Sequence, residues 1–180
     1  MKPRIILDKI SLGLTIERLC HQLIENHNDF SKSAIIGIQS KGAFLAQRIH
    51  QRLKSIHKGI KIDLGKLDIA FYRDDFRRSE NPLIAKRTEV EFPIEDRRVI
   101  LVDDVLYTGR TIRAALDALV DLGRPGDVEL LVLIDRRLHR HLPIQAKYVG
   151  KTVDSIVSER VQVEWNEIEG EDKVWISNES

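Results

Sequence analysis

The 180-residue sequence lacks several features that would each define a class of protein. Its one cysteine, Cys20, cannot form an internal disulfide, which is typical of proteins of the reducing cytoplasm. Its apolar runs are shorter than the ~20 residues that span a bilayer, and its first residues lack the apolar stretch of a signal peptide. The net charge of +1 gives no general electrostatic basis for binding nucleic acid. We therefore expect a cytoplasmic globular protein with a single domain over residues 1–180.

The most informative stretch of the chain is Val99–Thr111. Its first four residues are apolar and mostly β-branched, which predicts a buried strand of a parallel sheet that ends at Asp103 and Asp104. Hydroxyl-bearing residues and a glycine follow, and apolar residues then recur at helical spacing from Arg110 to Leu122. Free N–H groups at a helix start bind phosphate, whereas carboxylates accept hydrogen bonds from sugar hydroxyls and attract Mg²⁺. The pattern indicates a site for a phosphorylated sugar.

A second unit of strand, turn and helix lies nearer the N-terminus. An apolar strand is predicted at Ala34–Ile38 and a helix from Ala43 to about Leu53. Between them lie Ser40, Lys41 and Gly42, at a turn of the kind that binds anions. We expect Ser40 and the Gly42 backbone to donate hydrogen bonds to pyrophosphate, and Lys41 to neutralise its charge.

The remaining patterns complete a prediction of fold class. A first helix is predicted at Ser11–His27, and further strands at Lys66–Tyr72, Val128–Ile134, Val161–Val163 and Val174–Ile176. Alternating strands and helices predict an α/β fold, in which helices flank a mostly parallel twisted sheet. Residues 73–91 are expected to form a mobile loop that acts as a lid, and residues 143–176 a small irregular hood. Packing roles are expected for Cys20, Trp165 and Trp175, and His139 with His141 lacks the further ligands of a zinc site.

Residues 103–111, Asp-Asp-Val-Leu-Tyr-Thr-Gly-Arg-Thr, resemble the motif of type I phosphoribosyltransferases that binds 5-phosphoribosyl 1-pyrophosphate (PRPP). Their amino-acid sequence is similar to that of one branch, the PyrR family, whose members regulate pyrimidine operons by attenuation and act as uracil phosphoribosyltransferases. Residues 67–75, 142–151 and 158–161 continue this resemblance, which covers Leu14 to Ile176. It implies a type I phosphoribosyltransferase-like fold, conversion of uracil and PRPP to UMP and pyrophosphate, Mg²⁺ as cofactor, and a homodimer or higher homo-oligomer.

The resemblance also assigns roles to particular residues. Asp103 and Asp104 would hold the ribose hydroxyls and help bind Mg²⁺, and Arg73 would stabilise the departing pyrophosphate. Arg136 would contact substrate, and Val161 would bind the base through its backbone. The 5′-phosphate would be cradled by Val105, Leu106, Tyr107, Thr108, Gly109, Arg110 and Thr111. The family typically carries Thr-Arg-Gly where this chain has Ser40, Lys41 and Gly42.

Regulation implies a second partner, the leader mRNA of pyrimidine genes, bound in response to UMP. The residues expected at the RNA interface are Arg18, His21, Arg140 and Lys151, with Lys9 and Lys147 as further members of a basic face. Glu17 and Gln145 depart from the family pattern and remove positive potential from a surface that would meet phosphates. Three functions therefore stay open: an enzyme that also regulates, a transferase without RNA binding, and a purine salvage phosphoribosyltransferase.

Overall fold

A five-stranded parallel sheet forms the centre of the fold in the computed structural model, which describes residues 3–74 and 85–178. The strands are β1 (Arg4–Leu7), β2 (Ser33–Ile38), β3 (Asp63–Leu67), β4 (Arg98–Leu106), β5 (Asp127–Arg136), β6 (Tyr148–Val153), β7 (Glu159–Glu164) and β8 (Lys173–Asn178). The helices are α1 (Lys9–His27), α2 (Lys41–Ile56), α3 (Arg110–Leu122) and α4 (Asn166–Glu169). Single 3₁₀ turns lie at Ala70–Tyr72 and Arg137–His139.

The large sheet has the strand order β3-β2-β4-β5-β6, and each neighbouring pair is parallel. Helices α1 and α2 pack on one face of this sheet and α3 on the other, which gives two apolar cores. The predicted α/β class is confirmed. The chain leads from β2 to β3 on one side, and β4 lies on the other side of β2. The strand order therefore reverses between β2 and β4, and a crevice opens there at the carboxyl edge of the sheet.

The helix α1 shows how local sequence produces these elements. Its apolar residues at helical spacing, among them Leu12, Ile16 and Leu19, are buried against the sheet. Asp8 caps the helix by accepting a hydrogen bond from the Ser11 N–H at 2.8 Å, so the helix begins at Lys9, two residues before the predicted start. Among the helices of the described residues, none combines the length and apolar character that crossing a bilayer requires.

Two strand predictions need correction. The strand expected at Lys66–Tyr72 lies earlier, at Asp63–Leu67, because the chain turns at Asp68, whose carboxylate accepts hydrogen bonds from the N–H groups of Ala70 and Lys86. The strand expected to end at Asp103 and Asp104 continues as β4 to Leu106, since Val105 and Leu106 still pair with β5.

The C-terminal hood is more regular than expected. Strands β7 and β8 form an antiparallel pair, and β1 joins them to give a three-stranded sheet of order β1-β8-β7. The sequence analysis missed β1, because a four-residue strand has too few residues for a periodic signal. Tyr148–Val153, which was expected within the hood, pairs instead with β5 as the edge of the large sheet.

A buried charged cluster lies at the opposite, amino edge of the large sheet. Glu129 is 4% exposed and accepts hydrogen bonds from Arg98, Lys147 and Tyr148 at 2.7 Å each. His27 lies 2.9 Å from the same carboxylate. Because this cluster joins α1 to three strands and lies away from the carboxyl edge, we interpret it as structural.

Candidate active site

The candidate site occupies the crevice between β2 and β4, where the two predicted turns meet. Gly42, at the start of α2, lies directly against the end of β4. A Cβ atom on Gly42 would lie 2.6 Å from the Val102 carbonyl oxygen and 2.9 Å from the Asp103 Cα, distances that only glycine avoids. This close approach brings the residues predicted to bind pyrophosphate next to the acidic pair predicted to bind ribose.

The acidic pair is buried and electrostatically unusual. Asp103 is 6% exposed, and its Oδ1 accepts a hydrogen bond from the Asp104 N–H at 2.9 Å. Burial raises the pKa of Asp103 well above its ordinary value, and the adjacent charge of Asp104 raises it further. Burial also raises the pKa of Asp104, although its hydrogen bond with Asp103 and the charge of Lys41 oppose this. These two carboxyls thus favour a proton, a cation or hydroxyl donors.

The turn after β4 leads into a helix start that is open to an anion. Gly109 has φ of 92° and precedes α3, and a Cβ there would also lie 3.2 Å from Ile144. The Thr108 hydroxyl accepts a 3.4 Å hydrogen bond from the Arg110 N–H, and the Arg113 N–H bonds to the Gly109 carbonyl at 3.0 Å. The N–H groups that precede that of Arg113 in the helix have no intrahelical acceptor, so they can bind phosphate.

The other residues of the predicted phosphate cradle have different surroundings. Val105 and Leu106 belong to β4, and Leu106 is 1% exposed, so its side chain is part of the core. Thr111 is half-buried in the first turn of α3. The guanidinium of Arg110 pairs with Asp74, at the near end of the predicted lid. Only the Tyr107–Thr111 part of the cradle can therefore present side chains or free N–H groups to a phosphate.

The predicted pyrophosphate turn precedes α2. Ser40 is exposed, and its side chain makes no capping hydrogen bond to the helix. The Lys41 ammonium makes a hydrogen bond to the Val163 carbonyl of β7 and lies 3.0 Å from the Glu169 carboxylate. Lys41 therefore links this turn to the hood.

Arg73 and the predicted lid lie on the β3 side of the crevice. The positive charge of Arg73 opposes the increase of the pKa of Asp103. The lid was expected over residues 73–91, and residues 75–84 lie outside the described residues. Residues 85–91 run beside β3, where Glu89 pairs with Lys66 and their side chains lie 3.0 Å apart.

Arg136, predicted to contact substrate, is 6% exposed and bonds to the chain itself. Its guanidinium donates hydrogen bonds to the Ser155 hydroxyl at 2.8 Å and to the carbonyls of Glu159 at 2.7 Å and Ile156 at 3.4 Å. It also lies 3.8 Å from the ring centroid of Tyr107. Arg136 thus joins the phosphate turn to the start of β7.

The backbone of β7 offers a polar edge to the same crevice. The Glu159 carbonyl faces Arg136 and the Val163 carbonyl faces Lys41. Because N–H and C=O groups of alternate residues in a strand point to the same side, Val161 presents its backbone groups to this side as well. The prediction that Val161 acts through its backbone is therefore geometrically possible.

Of the residues predicted to bind RNA, three lie at the surface near α1 and β6. Arg18 donates hydrogen bonds to backbone carbonyls of β6, including that of Gly150 at 2.5 Å. His21 is exposed and lies 3.5 Å from Glu17. The Lys151 ammonium donates a 3.2 Å hydrogen bond to a carbonyl of β1.

The fourth, Arg140, is directed inward. Its guanidinium donates hydrogen bonds to the Tyr107 carbonyl and, at 2.5 Å, to the Asp135 carboxylate, so it stabilises the phosphate turn. Glu17 forms a two-point ion pair with Arg52, with one contact of 2.8 Å. The acidic departure at position 17 therefore neutralises cations on the surface around Arg18.

The sequence analysis missed two partners of these groups. Glu169, which received no role from the sequence, contacts Lys41. Ser155 accepts a hydrogen bond from Arg136, but the sequence around it does not indicate this contact, because the two residues meet only after β5 and β6 have paired. Both contacts join segments that are distant in sequence.

The carboxylates of the candidate site suit a metal cation that binds together with the substrate. Within residues 3–74 and 85–178 no three His, Cys, Asp or Glu side chains converge as ligands of a metal ion. Mg²⁺ is commonly held by one or two carboxylates together with substrate oxygens and waters. The buried carboxylates of Asp103 and Asp104, whose pKa values are raised, fit that mode of binding.

Comparison with protein families finds a match to the phosphoribosyl transferase domain over residues 5–168. Curated relatives include proteins called "Bifunctional protein PyrR" from Deinococcus radiodurans and Clostridioides difficile. The first is 48% identical over 93% of this chain and 89% of the relative, and the second is 43% identical over 95% and 96%. A similar relative of the same name from Bacillus subtilis is 42% identical, over 96% of this chain and 95% of its own length.

Solved structures with the same fold include two hypoxanthine phosphoribosyltransferases. That of Trypanosoma cruzi has a TM-score of 0.73 at 13% identity and covers 97% of this chain and 96% of its own. That of Staphylococcus aureus has a TM-score of 0.69 at 20% identity, over 95% and 90%. At such identities the likeness establishes the fold alone.

Proposed function

This chain belongs to the PyrR family of phosphoribosyltransferases, and we propose that it transfers the phosphoribosyl group of PRPP to uracil, giving UMP and pyrophosphate. The observation that carries the proposal is the crevice between β2 and β4. There the buried pair Asp103 and Asp104 lies between the start of α2 and the start of α3. A sugar with a phosphate at each end needs two anion sites on either side of a group that accepts hydroxyl donors, and this crevice has that order of features.

The proposed roles follow from the chemistry of each group. The N–H groups at the start of α3 and the Thr108 hydroxyl bind the 5′-phosphate. Asp103 and Asp104 accept hydrogen bonds from the ribose hydroxyls. Ser40 and Lys41 bind the pyrophosphate, whose charge Arg73 helps to stabilise as it departs. Mg²⁺ would supply further positive charge to the pyrophosphate and the ribose oxygens, and Asp103 and Asp104 would hold it.

The reaction joins uracil N1 to ribose C1 while the bond from C1 to the pyrophosphate oxygen breaks, and the proton of uracil N1 passes to the departing pyrophosphate or to water. Positive charge develops at C1 in the transition state, and negative charge develops on the leaving group. Catalysis of this kind depends on positioning and on charge stabilisation rather than on a covalent intermediate. The backbone of Val161 on β7 would orient uracil by pairing with its amide-like edge, with Arg136 fixing that strand.

The test is a steady-state assay of pyrophosphate release with PRPP, Mg²⁺ and one base at a time: uracil, hypoxanthine or guanine. Release that depends on uracil supports the proposal, and release only with a purine supports the salvage alternative. The double substitution Asp103→Asn with Asp104→Asn should reduce the uracil-dependent rate by at least about 10²-fold. An unchanged rate would falsify the proposed site.

A second function is favoured by the word "bifunctional" in the names of the relatives. It is binding to the leader mRNA of pyrimidine genes in response to UMP. Arg18, His21 and Lys151 lie at the surface, where they can meet RNA phosphates. Glu17 and the exposed Gln145 weaken the positive potential of that surface. Affinity for the cognate transcript should fall as salt rises and increase with UMP. If the affinity for the transcript did not change with salt concentration, RNA binding would be excluded and the transferase activity would be the single proposed function.

Oligomer state and domain extent also remain proposals. We propose a homodimer or larger homo-oligomer of one domain over residues 1–180. Sedimentation of the purified chain, with and without PRPP, measures its mass directly.

A further inference from the structure

The Lys41 ammonium, proposed above to bind pyrophosphate, is held by the hood rather than by its own turn. It makes a hydrogen bond to the Val163 carbonyl and an ion pair of 3.0 Å with Glu169 Oε1. Glu169 is the last residue of α4, the short helix that connects β7 to β8. Val163, which is 122 positions away from Lys41 in the sequence, therefore helps to orient the cation of the pyrophosphate turn.

The Glu169 carboxylate is itself fixed. Its second oxygen, Oε2, accepts a hydrogen bond from the Trp165 N–H at 2.8 Å, so its two oxygens have separate partners. Burial alone would raise the pKa of Glu169, but the hydrogen bond from Trp165 and the ammonium of Lys41 lower it below its ordinary value. Glu169 is therefore a rigid, ionised anchor. Trp165, whose N–H donates the hydrogen bond to Glu169, is fully buried.

The need for such an anchor follows from the chemistry of lysine. A guanidinium is a planar fork that orients itself on a phosphate by two parallel hydrogen bonds, whereas an ammonium on a flexible stem is a point charge. Side chains of Lys41 and Glu169 are 35% and 28% exposed, so water competes only partly for their interaction. Two acceptors from the hood fix the position of the ammonium, and its charge opposes the increase of the pKa of Asp104.

We propose that Glu169 is a positioning residue of the pyrophosphate site, which acts by holding the Lys41 ammonium where PRPP and pyrophosphate bind. The hairpin turn formed by α4 is then a part of the active site, although it touches no reacting atom. This inference rests on the proposed role of Lys41. It makes pyrophosphate affinity depend on a carboxylate, a group that would by its own charge repel pyrophosphate.

The test compares Glu169→Gln with Glu171→Gln in the full-length protein. Glu171 is in the same turn, its side chain is 63% exposed, and among the described residues it pairs with Lys173 alone, so it is a matched control. We expect Glu169→Gln to raise the KM for PRPP and the dissociation constant of Mg²⁺-pyrophosphate about three- to tenfold. The KM for uracil, kcat and the melting temperature should change little, a split that a general loss of structure would not give.

A double-mutant cycle identifies the path of the effect. On a Lys41→Ala background, Glu169→Gln should have no further effect on pyrophosphate binding by calorimetry. An equal effect on both backgrounds would overturn the proposal, as would unchanged or tighter binding by Glu169→Gln alone. If the unsubstituted protein binds neither PRPP nor pyrophosphate, the proposed function itself fails. If that protein binds both and Glu169→Gln does so equally well, only the positioning role is wrong.

Discussion

The guanidinium of Arg136 lies 3.8 Å from the ring centroid of Tyr107, and this buried contact connects the two halves of the site. Tyr107 belongs to the turn that we propose binds the 5′-phosphate, and Arg136 also donates a 2.7 Å hydrogen bond to the Glu159 carbonyl of β7. In the proposed mode of binding, one side chain thus links the phosphate turn to the strand that orients the base.

The first prediction concerns this contact. Arg136→Lys keeps the charge but loses the planar fork, so β7 should lose part of its support while Tyr107 remains in place. We expect the KM for uracil to rise about tenfold, with a smaller change in the KM for PRPP. Initial rates with each substrate varied in turn provide the measurement. Arg137→Lys is the control, because Arg137 forms an exposed ion pair with Asp154. Equal changes in both KM values would contradict the role.

The second prediction concerns pH and the acidic pair. The pKa of Asp103 is raised in the folded protein, so its contribution to stability is complete below the unfolded pKa near 3.8 and is lost as pH rises through the folded value. Ionised Asp103 therefore destabilises the empty site at neutral pH. Asp103→Asn should raise the melting temperature of the ligand-free protein at pH 7–8 by roughly 2–6 °C, while activity falls about 10²-fold.

Two further observations test this prediction. The difference in melting temperature between Asp103→Asn and the unsubstituted protein should shrink as the pH falls below the unfolded pKa of 3.8, where Asp103 is protonated in both states. PRPP with Mg²⁺ should stabilise the unsubstituted protein more than the variant. A variant that is less stable at neutral pH would show that the carboxylate is satisfied in the empty site.

The third prediction uses two glycines. A Cβ at Gly42 would lie 2.6 Å from the Val102 carbonyl oxygen, whereas a Cβ at Gly13 has no atom within 4 Å. Gly42→Ala should therefore separate α2 from β4, lower activity by at least about tenfold and destabilise the protein. Gly13→Ala, in the middle of α1, should raise the free energy of unfolding by ~0.5–1 kcal/mol. Urea denaturation and the transferase assay measure both, and a harmless Gly42→Ala would refute the close packing.

The fourth prediction concerns the charged cluster at the amino edge. Burial would raise the pKa of Glu129, but hydrogen bonds from Lys147, Tyr148 and Arg98 outweigh it and lower the pKa to about 2. The resulting stability, ~3 kcal/mol, is present above pH 4.5 and is lost as pH falls toward 2. Glu129→Gln should remove that pH dependence and lower stability at pH 7, with kcat retained at a temperature where the variant is folded. Denaturation curves between pH 2.5 and 7 measure this, and parallel curves would contradict it.

The sequence predicted the large sheet well, because the relevant signals are local. The apolar run before Asp103 and the helical spacing after Arg110 each extend over a few consecutive residues, and a parallel sheet places its strand ends at one edge. Gly42 and Asp103 could thus be expected near each other before their contact was known.

What the sequence could not predict depends on contacts between distant segments. Nothing around Lys41 indicates that Glu169 will receive its ammonium, and nothing around Arg136 indicates Ser155. The strand expected at Lys66–Tyr72 was misplaced because the side chain of Asp68 bonds to backbone groups and turns the chain. Such hydrogen bonds compete with strand pairing and leave no periodic pattern.

The pairing of β1 with β8 has a consequence for biosynthesis. The five strands of the large sheet are all translated by Val153, whereas β8 is the central strand of the small sheet and contains almost the last residues of the chain. A nascent chain can form the sugar-phosphate half of the crevice while still attached to the ribosome, but β1 and β7 have no partner until β8 emerges. The small sheet, whose strand β7 we propose to orient the base, therefore forms only after β8 has been translated.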